Sequence, residues 1–142
     1  MTEEKLALKF KLSPPFGALA VRSVRRTVSY LAGQWGFPEK NCDEIALALS
    51  EAINNARDHG SARSDRVEIT CFLRDRAVKI RIEDFGKDDG TGLQEAFDSD
   101  VVPSSDSERG RGVFLIQSLM DEVEMKQKGK GGVTIVMIKR AL

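Results

Sequence analysis

The stretch SEAINNARDHG, residues 50–60, sets Glu51 and Asn55 four positions apart and ends on Asp58, His59 and Gly60. Residues four apart share one face of a helix, so the carboxylate and the carboxamide project together. A carboxylate can take a proton. An amide oxygen can bind a hard cation, and Mg²⁺ that keeps phosphate oxygens and waters needs few protein ligands. His59, near a helix end, fits a capping or dipole role better than a catalytic one. A second group lies in IRIEDFG, where Asp84 closes an alternating segment and Gly86 follows. A carboxylate there can accept from the exocyclic amine of a purine, and the glycine lets backbone approach a flat base. A third lies in ERGRGVFLI, where Gly110 and Gly112 flank a helix start. Free N–H groups and the helix dipole favour an anion at such a place. Arg109 and Arg111 add charge that could face a γ-phosphate. Each group has an everyday alternative: a solvated helix face, a strand-end turn, and arginines paired with the acids before them. The glycines also lack the full dinucleotide fingerprint and the lysine of a P-loop.

The elements that must position these residues follow from periodicity. In KLALKFKL, Leu6, Leu8, Phe10 and Leu12 alternate with Ala7, Lys9 and Lys11, which predicts a half-buried strand ended by Pro14 and Pro15. Helical spacing runs from Phe16 to about Trp35, through Leu19, Val21, Val24, Val28 and Leu31, with Arg22, Arg25 and Arg26 outside. Pro38 suits the start of a second helix and Gly60 its end, with Ile45, Ala48, Leu49, Ala52 and Ala56 as the buried stripe. RVEITCFLRD and RAVKIRIED predict a hairpin. Residues 85–110, rich in Gly, Ser, Asp and Pro, predict a long loop of lid or binding type with a short helix around Leu93–Phe97. RGVFLIQSLMDEVEM predicts a helix running into a strand, and GGVTIVMIKR a last strand after a turn at GKGG. This order predicts an α+β two-layer sandwich: a mostly antiparallel mixed sheet with three helices on one face.

The 142 residues suit one domain, expected to span 1–142, and can bury enough surface to fold without disulfides. The 22 basic and 22 acidic side chains cancel, which argues against a bulk electrostatic grip on nucleic acid or membrane. Cys42 and Cys71 are far apart and form no C-x-x-C pair, so two buried thiols in a reducing compartment are expected. No targeting sequence or long apolar run is apparent, and a cytoplasmic location is expected.

In this order, SEAINNARDHG, EDFG and RGRGVFLIQSLMDEVEM resemble the nucleotide boxes of the ATPase superfamily shared by gyrase, heat-shock chaperones, histidine kinases and mismatch-repair proteins. More narrowly they resemble the small anti-sigma serine/threonine kinases of bacterial partner switching. The pattern E-A-x-x-N-A-x-x-H-G matches at Glu51, Ala52, Asn55, Ala56, His59 and Gly60. The run from Gly110 and Gly112 through Leu115, Ile116, Leu119, Met120, Asp121, Glu122 and Val123 matches the last box, as does the closing strand. The resemblance implies the histidine-kinase-like ATPase fold and ATP with Mg²⁺ as the nucleotide complex. It implies Glu51 as the base that deprotonates a serine or threonine hydroxyl, and Asn55 as the Mg²⁺ ligand. It further implies Asp84 as the reader of adenine, Gly86 beside the base, and Arg109, Gly110, Arg111 and Gly112 around the phosphates. The partners implied are a sigma factor or similar client, an anti-anti-sigma protein bearing the phosphorylated residue, and a second copy of the chain.

The middle box departs from the family pattern. Asp84-Phe85-Gly86-Lys87-Asp88 lacks the second glycine, and a nearer match, Asp88-Asp89-Gly90-Thr91-Gly92, lies four residues on. Asp84 is preferred because a site needs a rigid platform. The departure keeps an alternative open, a weakly catalytic or non-catalytic module of the same fold that sequesters a partner.

Overall fold

The computed structural model describes residues 4–13, 15–58, 66–85, 95, 97–98, 108–128 and 131–141. The elements are β1 (Lys5–Leu12), α1 (Ala18–Gln34), α2 (Glu39–Asp58), β2 (Val67–Arg74), β3 (Ala77–Asp84), α3 (Glu108–Leu119), β4 (Glu122–Gln127) and β5 (Val133–Arg140). The strands form one sheet in the order β1-β2-β3-β5-β4, and every described pairing is antiparallel. The expected α+β sandwich is present, and among the described residues the sheet is antiparallel throughout rather than mixed. Glu95, Phe97 and Asp98 are helical, and the rest of the short helix expected around Leu93–Phe97 lies outside the described residues.

α2 is the middle of the helical layer. It packs on α1 to one side and α3 to the other, and lies over β2, β3 and β5. Its predicted stripe of Ile45, Ala48, Leu49, Ala52 and Ala56 is buried, joined by Ile53. The sheet meets it with Val67, Ile69 and Cys71, then Val78, Ile80 and Ile82, then Val133, Ile135 and Met137. Strand alternation puts Asp84 and Lys139 on this same helix-facing side. α1 ends where Gly36, at φ 98°, lets the Phe37 N–H reach Ala32 O at 3.1 Å and its own N–H reach Gly33 O at 3.2 Å. This is a Schellman closure, and it turns the chain directly into α2.

β1 does not keep the expected alternation. The register passes from Leu6↔Phe72 to Leu8↔Cys71, leaving Ala7 as the extra residue of a bulge. A one-residue slip inverts the faces, so Leu6 points outward, 60% exposed, while Leu8 packs on the core. The side of the sheet away from the helices mixes charged residues with Leu6, Phe72, Val136 and Ile138. There Glu68 is buried because Lys9, Lys11 and Arg66 approach it at 3.7, 3.8 and 3.7 Å.

α3 is pinned at its C-terminal end. Lys139 donates from Nζ to Leu119 O at 2.5 Å and lies 3.5 Å from Glu44 of α2, whose Oε1 accepts from Asn41 at 2.9 Å. A lysine on the last carbonyl of a helix satisfies an orphan acceptor and complements the dipole. Among the described residues, no helix is long and apolar enough to cross a membrane.

Both cysteines are free and buried. Burial pushes the Cys71 thiol from its ordinary 9.0 to about 12. The folded chain therefore holds this proton more tightly than the unfolded chain does. The resulting stability is fully present below about pH 9 and disappears as pH rises through 12, a loss of about 4 kcal/mol. Urea unfolding from pH 8 to 11 should show a falling free energy, with a shallower fall in Cys71→Ala.

Candidate functional site

Glu51 and Asn55 occupy the fourth and fifth turns of α2, next to its buried stripe. Asn55 is 6% exposed, and its Nδ2 has no hydrogen-bond partner among the described residues. An orphaned buried amide is costly, and such a group commonly marks a site for a ligand. A half-turn of the side chain exchanges the amide nitrogen for its oxygen, a suitable ligand for a hard cation.

α3 completes this corner. A methyl group at Gly112 would lie 3.1 Å from Glu51 Oε2 and 3.2 Å from Asn55 Nδ2. Only a residue without a side chain fits there undisturbed. Val113 and Ile116, buried on the same helix, hold it against α2. The structure thus brings together three of the residues singled out from sequence: the carboxylate, the amide and the second glycine. One difference concerns the helix start. α3 begins at Glu108, so Gly110 and Gly112 fall within its first two turns rather than flanking its beginning. Arg109, Gly110 and Arg111 supply the backbone just before Gly112.

Asp84 is the last residue of β3 and is 4% exposed. The turn between β4 and β5 packs directly on it. Gly131 and Gly132 have φ of 94° and 89°, and a methyl group at Gly132 would lie 2.4 Å from Asp84 O. Lys128 donates from Nζ to that same carbonyl at 3.0 Å. Lys128 Nζ also lies 3.7 Å from the centre of the Phe85 ring, and the Arg66 guanidinium 4.0 Å from it. Sequence reasoning took GKGG only as a turn and missed Lys128, Gly132, Phe85 and Arg66. The available signal was Gly132 itself, since a glycine at the margin of a strand often marks close backbone approach.

Gly86, His59 and Gly60 lie outside the described residues. So does nearly all of the expected lid, including the alternative box from Asp88 to Gly92.

Residues 17–139 match the histidine kinase-like ATPase domain family. The serine-protein kinase RsbW of Staphylococcus epidermidis is 34% identical over 135 residues, covering 88% of this chain and 82% of its own. RsbW of Halalkalibacterium halodurans is 30% identical over 136 residues, covering 91% and 81%. RsbW of Listeria monocytogenes is 30% identical over 142 residues, covering 96% and 87%. Among solved structures, the RsbU and RsbW domains of a Mycobacterium tuberculosis protein superpose with TM-score 0.65 at 19% identity, covering 95% of this chain and 33% of that one. The catalytic domain of the histidine kinase ThkA superposes with TM-score 0.56 at 10% identity, covering 95% and 97%. At such identities the two structural likenesses establish the fold.

The contact at Gly132 yields a direct prediction. Gly132→Ala combines a left-handed backbone with a methyl group in the Asp84 carbonyl, and should destabilise the fold by about 2–4 kcal/mol. Denaturant unfolding of the purified variant measures this.

Proposed function

The chain belongs to the anti-sigma serine/threonine protein kinases, a branch of the histidine-kinase-like ATPase superfamily, and from that premise we propose a specific reaction and set of partners. It transfers the γ-phosphoryl group of ATP to a serine or threonine of an anti-anti-sigma protein, and it holds a sigma factor or similar client when that partner is absent. The convergence of Glu51, Asn55 and Gly112 at one corner of α2 and α3 carries this reading.

Phosphoryl transfer asks a protein for position and charge rather than for covalent chemistry. Glu51 takes the proton of the partner's hydroxyl. The oxygen so freed bonds to the γ-phosphorus as the bond to the bridging oxygen of ADP breaks. Gly112 and Gly110 bring helical backbone up to the phosphates without a side chain in the way, and the N-terminus of α3 adds favourable dipole there. Arg109 and Arg111, in the same turn, supply positive charge. Asp84 accepts from the adenine amine and Gly86 passes beside the ring, with residues 87–109 as the covering lid. The orphaned amide of Asn55 fits a Mg²⁺ ligand; bound there, the ion would neutralise charge on the phosphate oxygens.

The balanced overall charge fits protein partners better than nucleic acid or a membrane surface. A cytoplasmic homodimer completes the proposal, since sigma factors and their regulators act where transcription does.

Two substitutions separate the roles. Glu51→Ala should leave nucleotide affinity near wild type while slowing transfer about 10²–10⁴-fold, roughly 3–5 kcal/mol of barrier. Asn55→Ala should lose the Mg²⁺-dependent part of ATP and ADP affinity. Calorimetric titration with and without Mg²⁺, beside labelled-phosphate transfer to an anti-anti-sigma protein, measures both. ATP binding without transfer to any such protein, in a chain that still retains a sigma factor, would replace this reading with sequestration alone.

A further inference from the structure

We infer that Lys128 is a positioning residue that aims Asp84 at the nucleobase, through Asp84's own carbonyl and the neighbouring Phe85 ring, and thereby sets the adenine selectivity of the site. The inference rests on Asp84 being the adenine contact.

Asp84 is the final residue of its strand, paired with Val67 of β2 but one step past the last described pair with β5, Glu83↔Thr134. On the C-terminal side the chain continues through Phe85 into the expected lid. The restraint there comes from elements distant in sequence. Lys128, forty-four positions away, donates to the Asp84 carbonyl at 3.0 Å. Its ammonium stands 3.7 Å from the Phe85 ring centre, and the guanidinium of Arg66, the residue just before β2, stands 4.0 Å from the same ring. Cations are drawn to an aromatic face by its quadrupole. Two like charges brought to one ring also repel, so this arrangement needs partners elsewhere. Arg66 Nε has one in Glu68 at 3.7 Å, and Lys128 has one in the carbonyl.

Fixing a residue's carbonyl and the side chain of the next residue fixes the peptide plane between them. The direction of the preceding Cα–Cβ bond is then set, and so is the starting point of the carboxylate. A hydrogen bond weakens steeply with misalignment, so this restraint converts into selectivity for a base with an amine. It also offers a physical substitute for the glycine that the middle box lacks: the segment is held by a clamp rather than by a second tight turn.

The test compares ADP with IDP, which carries an oxo group where ADP carries the amine. Dissociation constants in Mg²⁺ would be measured for wild type, Asp84→Asn, Lys128→Met, Lys128→Arg and Phe85→Leu, with thermal unfolding of each as control. Wild type should prefer ADP by about 10–100-fold, the range of a hydrogen bond to a charged group. Lys128→Met and Phe85→Leu should shrink that preference about fivefold or more, and Lys128→Arg, which retains a cation over the ring, should largely keep it. Loss of stability alone would weaken both nucleotides equally and leave the ratio intact. A wild-type ratio retained in both Lys128→Met and Phe85→Leu overturns the inference. If Asp84→Asn also retains it, the reading of Asp84 fails as well. If Asp84→Asn abolishes the preference while the other two keep it, only the role of Lys128 is lost.

Discussion

The approach of α3 to α2 at Gly112 is the constraint on which the candidate site depends. It leaves 3.1 and 3.2 Å between a hypothetical methyl group and the two polar side chains of α2. That distance is possible because α3 presents no side chain at this point. The same helix face that closes the core therefore also sets the spacing of the carboxylate and the amide. The far end of α3 is tied down independently, by Lys139 on its last carbonyl and Glu44 beside it. A helix fixed at both ends has little freedom to slide. The polar corner inherits the rigidity of the apolar layer beneath it.

The fold was largely legible because its elements are strongly periodic. α2 shows why: Ile45, Ala48, Leu49, Ala52 and Ala56 recur at helical spacing, and each is buried. β2 and β3 pair residue for residue from Val67↔Asp84 to Arg74↔Ala77, as two alternating segments joined by a two-residue turn should. β1 was less legible for a physical reason. A bulge leaves composition and hydrophobic alternation untouched while inverting the faces beyond it, so Leu6 reads as core and lies outside.

The site divides along the same line. Glu51, Asn55 and Gly112 were visible because helical spacing and a missing side chain are local properties. Lys128 and Gly132 were not, because their significance lies in a strand end about forty residues away. Long-range contacts of this kind leave little trace in local pattern. Sequence also had Gly110 and Gly112 flank the start of α3, whereas the helix already encloses both from Glu108. Helix starts are decided by whatever satisfies the first N–H groups, and local propensity says little about that.

The bulge in β1 has a consequence for assembly. An open sheet ends in two strands whose outer backbone groups could pair with a neighbour and extend it indefinitely. Here one rim carries the irregularity at Ala7 together with Lys5, Lys9 and Lys11, and the opposite rim, β4, carries Glu122, Glu124 and Lys126. Broken register and repeated charge make both rims poor templates for strand addition. Extension of the sheet from copy to copy is therefore disfavoured at either border.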